Sequence, residues 1–261
     1  MPSTKVQERS EVIRPAPEEF LAKAIAARTP VARARHARAG LGEGELDADT
    51  EVLLLRQLYL AHYESRRFEK ALRVAELALT LGELVDVCHQ DAARAAFALG
   101  DVDGAAVHLR AAARSCPPAR RGFHHWTLGG FLFARGRYDE AVAALERAHR
   151  WSTNERPLYR AHLTLALLAA GEIVEDAREH LEELTAAPCG QGYGRFVLGM
   201  LAIELGEREV ANKYLESFVR RTTEQRPILM ISLALELLLA RQAIERIGVK
   251  SDGGSTGSPA G

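Results

Sequence analysis

The chain has 261 residues, with 34 Lys and Arg against 35 Asp and Glu and a formal net charge of −1, so no basic excess marks it for nucleic acid. Hydrophobic residues make up 47% and aromatic residues only 6%, with no run rich in Val, Ile, Thr and aromatics, which argues against a sheet protein. Cys88, Cys116 and Cys189 form neither a CxxC pair nor an even disulfide set, and the first residues, MPSTKVQERSEVIRPAPEEF, lack the apolar core of a signal peptide. Together these features read as a cytoplasmic, helical protein.

In chain order, residues 1–16 are polar, with Pro15 and Pro17 straddling the boundary, and read as a disordered tail. Pro17-Glu18-Glu19 opens a helix through Arg28, its acids well placed in the first turn. Thr29-Pro30 caps a second short helix reaching about Ala39, giving an N-terminal helical hairpin. Gly40 to Asp49 is its loop to a regular array over 51–225. There Ala71, Ala105, Ala141, Ala177 and Ala211 follow one another at spacings of 34, 36, 36 and 34 residues, a period typical of stacked helix–turn–helix units. Gly100, Gly136 and Gly206 stand five residues before three of these alanines, where a turn needs a left-handed residue. Leu109, Leu145 and Leu215 follow one helical turn later on the same face. Arg66 stands where the first unit would carry its turn glycine. Gly171 lies six residues before Ala177, so one extra residue is expected at the fourth turn.

These residues resemble the tetratricopeptide repeat. The best match is Leu128-Gly129, Gly136, Tyr138, Ala141, Leu145 and Ala148, followed by Leu198-Gly199, Gly206, Ala211 and Phe218. The first unit keeps Phe68, Ala71 and Ala78; the second has Ala92-Ala93 in place of Leu-Gly but keeps Gly100, Ala105, Ala112 and Pro117. The resemblance implies an all-α fold over 17–250: a right-handed α-solenoid of about five TPR-like helical hairpins, with the N-terminal hairpin and a C-terminal capping helix at about 227–248. Residues 251–261, SDGGSTGSPAG, read as a flexible Gly/Ser tail.

In the resembled family the first helices line a concave groove. Its positions, carried onto this chain, are Arg56, Leu60 and Tyr63, then Gln90, Arg94 and Phe97, then Phe123, Trp126 and Phe133. Ala161, Leu165 and Leu168 follow in the fourth unit, and Tyr193, Phe196, Met200 and Ile203 in the fifth. Aromatics and Met at such positions are high-area anchors for a peptide or helix. The expected groove site is therefore Arg56, Tyr63, Gln90, Arg94, Phe123, Trp126, Tyr193, Phe196 and Met200, with Trp126, Tyr193 and Phe196 the most exposed and Phe97 and Phe133 as candidates for core. A subgroup of the family grips C-terminal carboxylates with Lys, Asn and Arg. Leu60, Trp126 and Gly130 occupy three of those places here, so that clamp is absent.

The apolar run 228–240 is too short for a bilayer, which takes ~20 residues. Ser232 and Glu236 mark its narrow polar stripe. Its outer face lies either under the neighbouring repeat or against a second subunit or partner. No histidine or cysteine spacing matches a metal site, and the glycine-rich segment 188–194 lacks the GxxxxGK of a phosphate cradle. No catalytic residue, metal or cofactor is assigned. The reading is a non-catalytic scaffold or adaptor holding an apolar or amphipathic peptide segment in its groove. The alternatives are a solenoid binding nucleic acid through Arg33, Arg35, Arg38, Arg110, Arg114, Arg120 and Arg121, or a sensor responding to a peptide or small ligand.

Overall fold

The computed structural model of the protein describes residues 16–152, 155–225 and 227–252. The expected tails at 1–16 and 251–261 fall outside them except for Ala16, Ser251 and Asp252. All regular structure among the described residues is helical, as the abundance of Ala, Leu, Glu and Arg favours. The chain divides into two compact units, the first ending at Glu83 and the second beginning at Leu84.

The first unit holds α1 (Pro17–Ala26), α2 (Pro30–Leu41), α3 (Ala48–Glu64) and α4 (Phe68–Leu79), each packed on the next. Thr29 caps α2 through its side-chain oxygen on the Ala32 N–H, and Asp47 caps α3 on the Thr50 N–H. The second unit holds α5 (Val85–Ala98), α6 (Val102–Ser115), α7 (Arg121–Ala134), α8 (Tyr138–Arg150), α9 (Arg156–Ala169), α10 (Ala177–Ala186), α11 (Gly194–Glu204), α12 (Arg208–Gln225), α13 (Pro227–Ser232) and α14 (Ala234–Asp252). From α5 to α12 each helix packs on its sequence neighbour, and α9 also meets α11, the order of a helical solenoid.

The turns inside the hairpins share one geometry. Arg66, Gly100, Gly136, Gly171 and Gly206 all have positive φ, between 55° and 92°. At each, the residue's own N–H reaches back three positions, as Gly136 N does to Phe133 O at 2.9 Å. The following N–H reaches back five: Arg67 to His62, Asp101 to Ala96, Arg137 to Leu132, Glu172 to Leu167 and Glu207 to Ala202, all at 2.8–3.0 Å. This double closure satisfies the orphan carbonyls of the first helix. Arg66 adopts the same conformation without being glycine, so the closure overrides its side-chain strain.

Beyond each turn the two helices close on a small residue. Ala71, Ala105, Ala141, Ala177 and Ala211 are 0–2% exposed. Across the third hairpin, a Cβ on Gly129 would stand 2.6 Å from Leu145 Cγ; across the fifth, one on Gly199 would stand 2.5 Å from Leu215 Cγ. The Leu-Gly pair thus clears a place for the leucine of the returning helix.

Two regions depart from the regular pattern. In the fourth hairpin the turn is normal but α10 starts only at Ala177, so the extra residue lengthens the connection while Ala177 stays buried. The expected capping helix is divided at Leu233 into α13 and α14. Helical bonds from Leu233 N to Leu229 O and from Leu237 N to Leu233 O, both 2.9 Å, run through the division.

Arg66→Gly is expected to raise stability by about 0.5–1 kcal/mol, strain relief outweighing the added freedom of the unfolded chain. Gly136→Ala should lower it by about 1–2 kcal/mol, and Gly129→Ala, which forces Leu145 aside, by about 2–3 kcal/mol. Urea denaturation of the three variants checks the order.

Candidate functional site

Inside the second unit a cavity of about 840 Å³ lies between the inner faces of α5, α7, α11 and α12 and the C-terminal helices α13 and α14. Gln90, Arg94 and Phe97 reach it from α5, and Phe123, Trp126 and Phe131 from α7. Tyr193 and Arg195 enter at the start of α11, Arg221 at the end of α12, and Leu229, Leu233 and Glu236 from the C-terminal helices. Phe123 is 40% exposed at its edge, whereas Gln90 is 5% exposed and its amide nitrogen has no hydrogen-bond partner among the described residues.

The aromatic floor is ordered by a few polar contacts. Trp126 stacks on Tyr159 with ring centroids 5.6 Å apart and meets Tyr193 edge-on at 4.9 Å. Its indole N–H donates to Nδ1 of His162 at 3.1 Å. His162 is fully buried, which pushes its pKa down to about 3 and keeps the ring neutral, with the proton on Nε2. Gly130 lets these rings approach: a Cβ there would lie 3.3 Å from both His162 Cε1 and the Tyr193 hydroxyl oxygen. The Tyr193 hydroxyl donates to Glu236 Oε1 at 3.3 Å and ties α11 to α14. Burial raises the Glu236 carboxyl to about 7, with the Tyr193 bond only partly offsetting it, and burial lifts the Tyr193 phenol well above its ordinary value.

Six of the residues expected to line a groove meet at this cavity: Gln90, Arg94, Phe97, Phe123, Trp126 and Tyr193. Arg56 and Tyr63 belong to the first unit and do not line it; Tyr63 is 2% exposed, stacked on Tyr59 and edge-on to Phe68. Phe133 is core, as allowed for, and Leu165 and Ala161 are buried with it. Phe196 is a correction. It is fully buried against Phe218, with centroids 5.4 Å apart, where exposure was expected. Residues 187–193 make a 3-10 turn and a left-handed Gly192 before α11 starts at Gly194, and this entry directs Phe196 toward α12 and leaves Tyr193 and Arg195 at the cavity. The glycines of that segment are needed for close approach, since a Cβ on Gly190 or Gly194 would fall 2.1 Å from Leu184 O or 2.3 Å from Cys189 O. Met200 is half-buried on the core and does not line the cavity.

Sequence reasoning missed Phe131, Arg195, Arg221 and Thr222. Ser232 and Glu236 had a signal: the polar stripe singled out in the apolar run faces this cavity. Leu237, Ala240 and Ala243 on α14 are buried, while Met230 and Leu238 remain exposed.

A second polar cluster holds α5 to α7. Asp86 is 2% exposed and accepts a bidentate pair from Arg120, at 2.7 and 2.9 Å, and a bond from His124 Nε2 at 2.8 Å. Burial would raise the Asp86 pKa, but the Arg120 and His124 bonds prevail and hold it below the ordinary carboxylate range. Burial keeps His124 neutral against the opposing pull of Asp86. The nearby Cys116 thiol donates to Ala113 O and is pushed up by burial, which suits a structural thiol and not a nucleophile. Three of the seven arginines read as possible phosphate contacts are committed to acids: Arg33 to Glu64, Arg110 to Glu140 and Arg120 to Asp86. No group of three or more potential metal ligands occurs among the described residues, and no helix there is long and apolar enough to cross a membrane.

No family model matches the sequence. Over 89 residues, 33% of this chain, it is 37% identical to the TPR repeat-containing thioredoxin TTL4 of Arabidopsis thaliana. That stretch spans 12% of the relative's length. The likeness and the all-helical fold fit a TPR-like protein.

Glu236 makes the docking of α14 pH-dependent. Its folded pKa lies above the ordinary value, so the folded state keeps a proton that the unfolded chain has already released. Stability is intact below the ordinary carboxylate range and falls as pH rises to about 7, by up to ~3 kcal/mol. Hydrogen exchange from α14, corrected for intrinsic rates, should be slower at pH 5 than at pH 8, and Glu236→Gln should abolish the difference.

Proposed function

We propose that the chain is a non-catalytic interaction scaffold that holds an apolar or amphipathic segment of a partner protein against the inner face of its second unit. The observation that carries this reading is the convergence of Phe97, Phe123, Trp126 and Tyr193 on one surface, built from the first helices of successive hairpins. Similarity to a TPR repeat-containing protein supports an interaction role. Arg94 is exposed at the same surface and its ion pair with Asp91 is loose, at 3.5 Å, so it is available to an acidic flank on the partner. Association through the C-terminal helix has less to draw on, because most of its apolar side chains turn toward the cavity and the core.

The test uses residues whose loss spares the fold. Trp126 supplies the bond to buried His162 and Phe196 is core, so replacing either confounds binding with stability. Phe123→Ser combined with Arg94→Gln changes exposed side chains and keeps a donor beside buried Asp91. In affinity capture from the native cell extract, a partner recovered by the wild type should fall at least tenfold with this variant while its circular dichroism is unchanged. Equal recovery would overturn the assignment.

A further inference from the structure

The cavity is more specialised than an apolar contact surface requires. Its interior is lined by Phe97, Phe131, Trp126 and Leu233, and α13 and α14 wall one side. At about 840 Å³ it falls within the ~300–1,000 Å³ of small-molecule sites. Three features set its polarity. Gln90 is almost wholly buried, lines the cavity and has an amide N–H2 with no hydrogen-bond partner among the described residues, a donor left for something that enters. Arg195 and Arg221 line the same cavity, and neither forms an ion pair with a carboxylate among the described residues. Among the described residues the Arg195 side chain donates to the side-chain oxygen of Gln191.

These two arginines share the cavity's wall and repel one another electrostatically. Burial lowers the Arg195 pKa, and the charge of Arg221 lowers it further, so the Arg195 guanidinium is costly there without an anion. The acids nearby do not fill that role. Asp91 pairs with Arg94, and Glu236 bonds Tyr193 with its carboxyl raised to about 7. Exposed Arg221 and half-buried Arg195 put the cationic end toward water, and the aromatic and aliphatic lining puts the apolar end inside.

We propose that this cavity binds a small amphipathic organic acid, its apolar chain or ring seated on Phe97, Trp126, Phe131 and Leu233 and its carboxylate held by Arg195 and Arg221. A guanidinium matches a carboxylate in charge and in its planar fork of donors, which suits neither an ammonium nor a neutral headgroup. The inference uses the same cavity as the interaction reading and shares Phe97 and Trp126 with it, but the residues that would hold the acid, Arg195 and Arg221, are its own. Its test reads acid binding alone, so either reading can fail without the other.

The probe is decanoate, with decanol as the uncharged control of equal chain length. The chain's two tryptophans are Trp126 and Trp151, and Trp151 is exposed, so the full-length protein carrying Trp151→Phe reports on Trp126 alone. Titration followed by Trp126 fluorescence and calorimetry should show one decanoate per chain with a micromolar Kd, at least tenfold tighter than decanol. Arg195→Gln with Arg221→Gln should weaken decanoate at least tenfold and leave decanol unchanged, and Arg195→Lys with Arg221→Lys should restore part of the loss. Thr127→Phe, which fills the cavity from half-buried Thr127 on α7 without adding an indole, should abolish both. No saturable binding of decanoate up to ~1 mM, equal affinity for decanol, or an undiminished affinity in the Gln variant would overturn the proposal.

Discussion

Everything in the second unit depends on how closely the two helices of a hairpin approach. The left-handed turn residue fixes the angle of return, and the small residue five or six positions later sets the distance. Once Ala141 is buried and Leu145 lies in the gap left by Gly129, one face of α7 is committed to α8. What α7 presents on its other side, Phe123, Trp126 and Phe131, is then displayed at a fixed height and rotation. Repetition of this closure in neighbouring hairpins aligns the inner faces of α5, α7 and α11, and the cavity follows from that alignment. A loosened hairpin would therefore disturb the site without touching it.

The closure also explains what was readable in the sequence. The turn glycines, the alanines and the leucines repeat because each hairpin needs the same three contacts, so their spacing alone gave the helix pairs and the core. Arg66 was readable as an exception and proves to be one in side chain but not in backbone. Phe196 was misplaced because a register carried over from other units assumes a uniform entry, whereas the 3-10 turn and Gly192 before α11 rotate this helix. Arg195 and Arg221 carried no periodic signal. They line one cavity because the end of α12 returns beside the start of α11, a long-range consequence of the hairpin.

Buried polar contacts then fix the register between helices where apolar packing is tolerant. Asp86 joins α5 to the segment that opens α7, Trp126 joins α7 to α9 through His162, and Thr164 joins α9 to α10 through His180 Nδ1 at 2.7 Å. An alanine-rich interface has little shape to distinguish one sliding position from the next. A misaligned helix would leave these polar atoms buried and unpaired, at a cost of about 1–3 kcal/mol for each. The pairs therefore discriminate between registers more than they add to stability.

The C-terminal helices show the same logic turned toward function. An apolar segment on the inner face would dock without Glu236, since Leu229, Leu233 and Leu237 already supply the contact area. A carboxyl placed there costs energy whenever it is ionised, and its hydrogen bond from Tyr193 recovers only part of that cost. Its effect is on position: it sets the register of α14 on α11 at the point where the helix passes over the cavity. A helix held in that register walls the space without filling it. An aliphatic residue at 236 could pack more deeply and close the same space. The acid thus exchanges some stability of the docked helix for a fixed position of that helix beside the cavity.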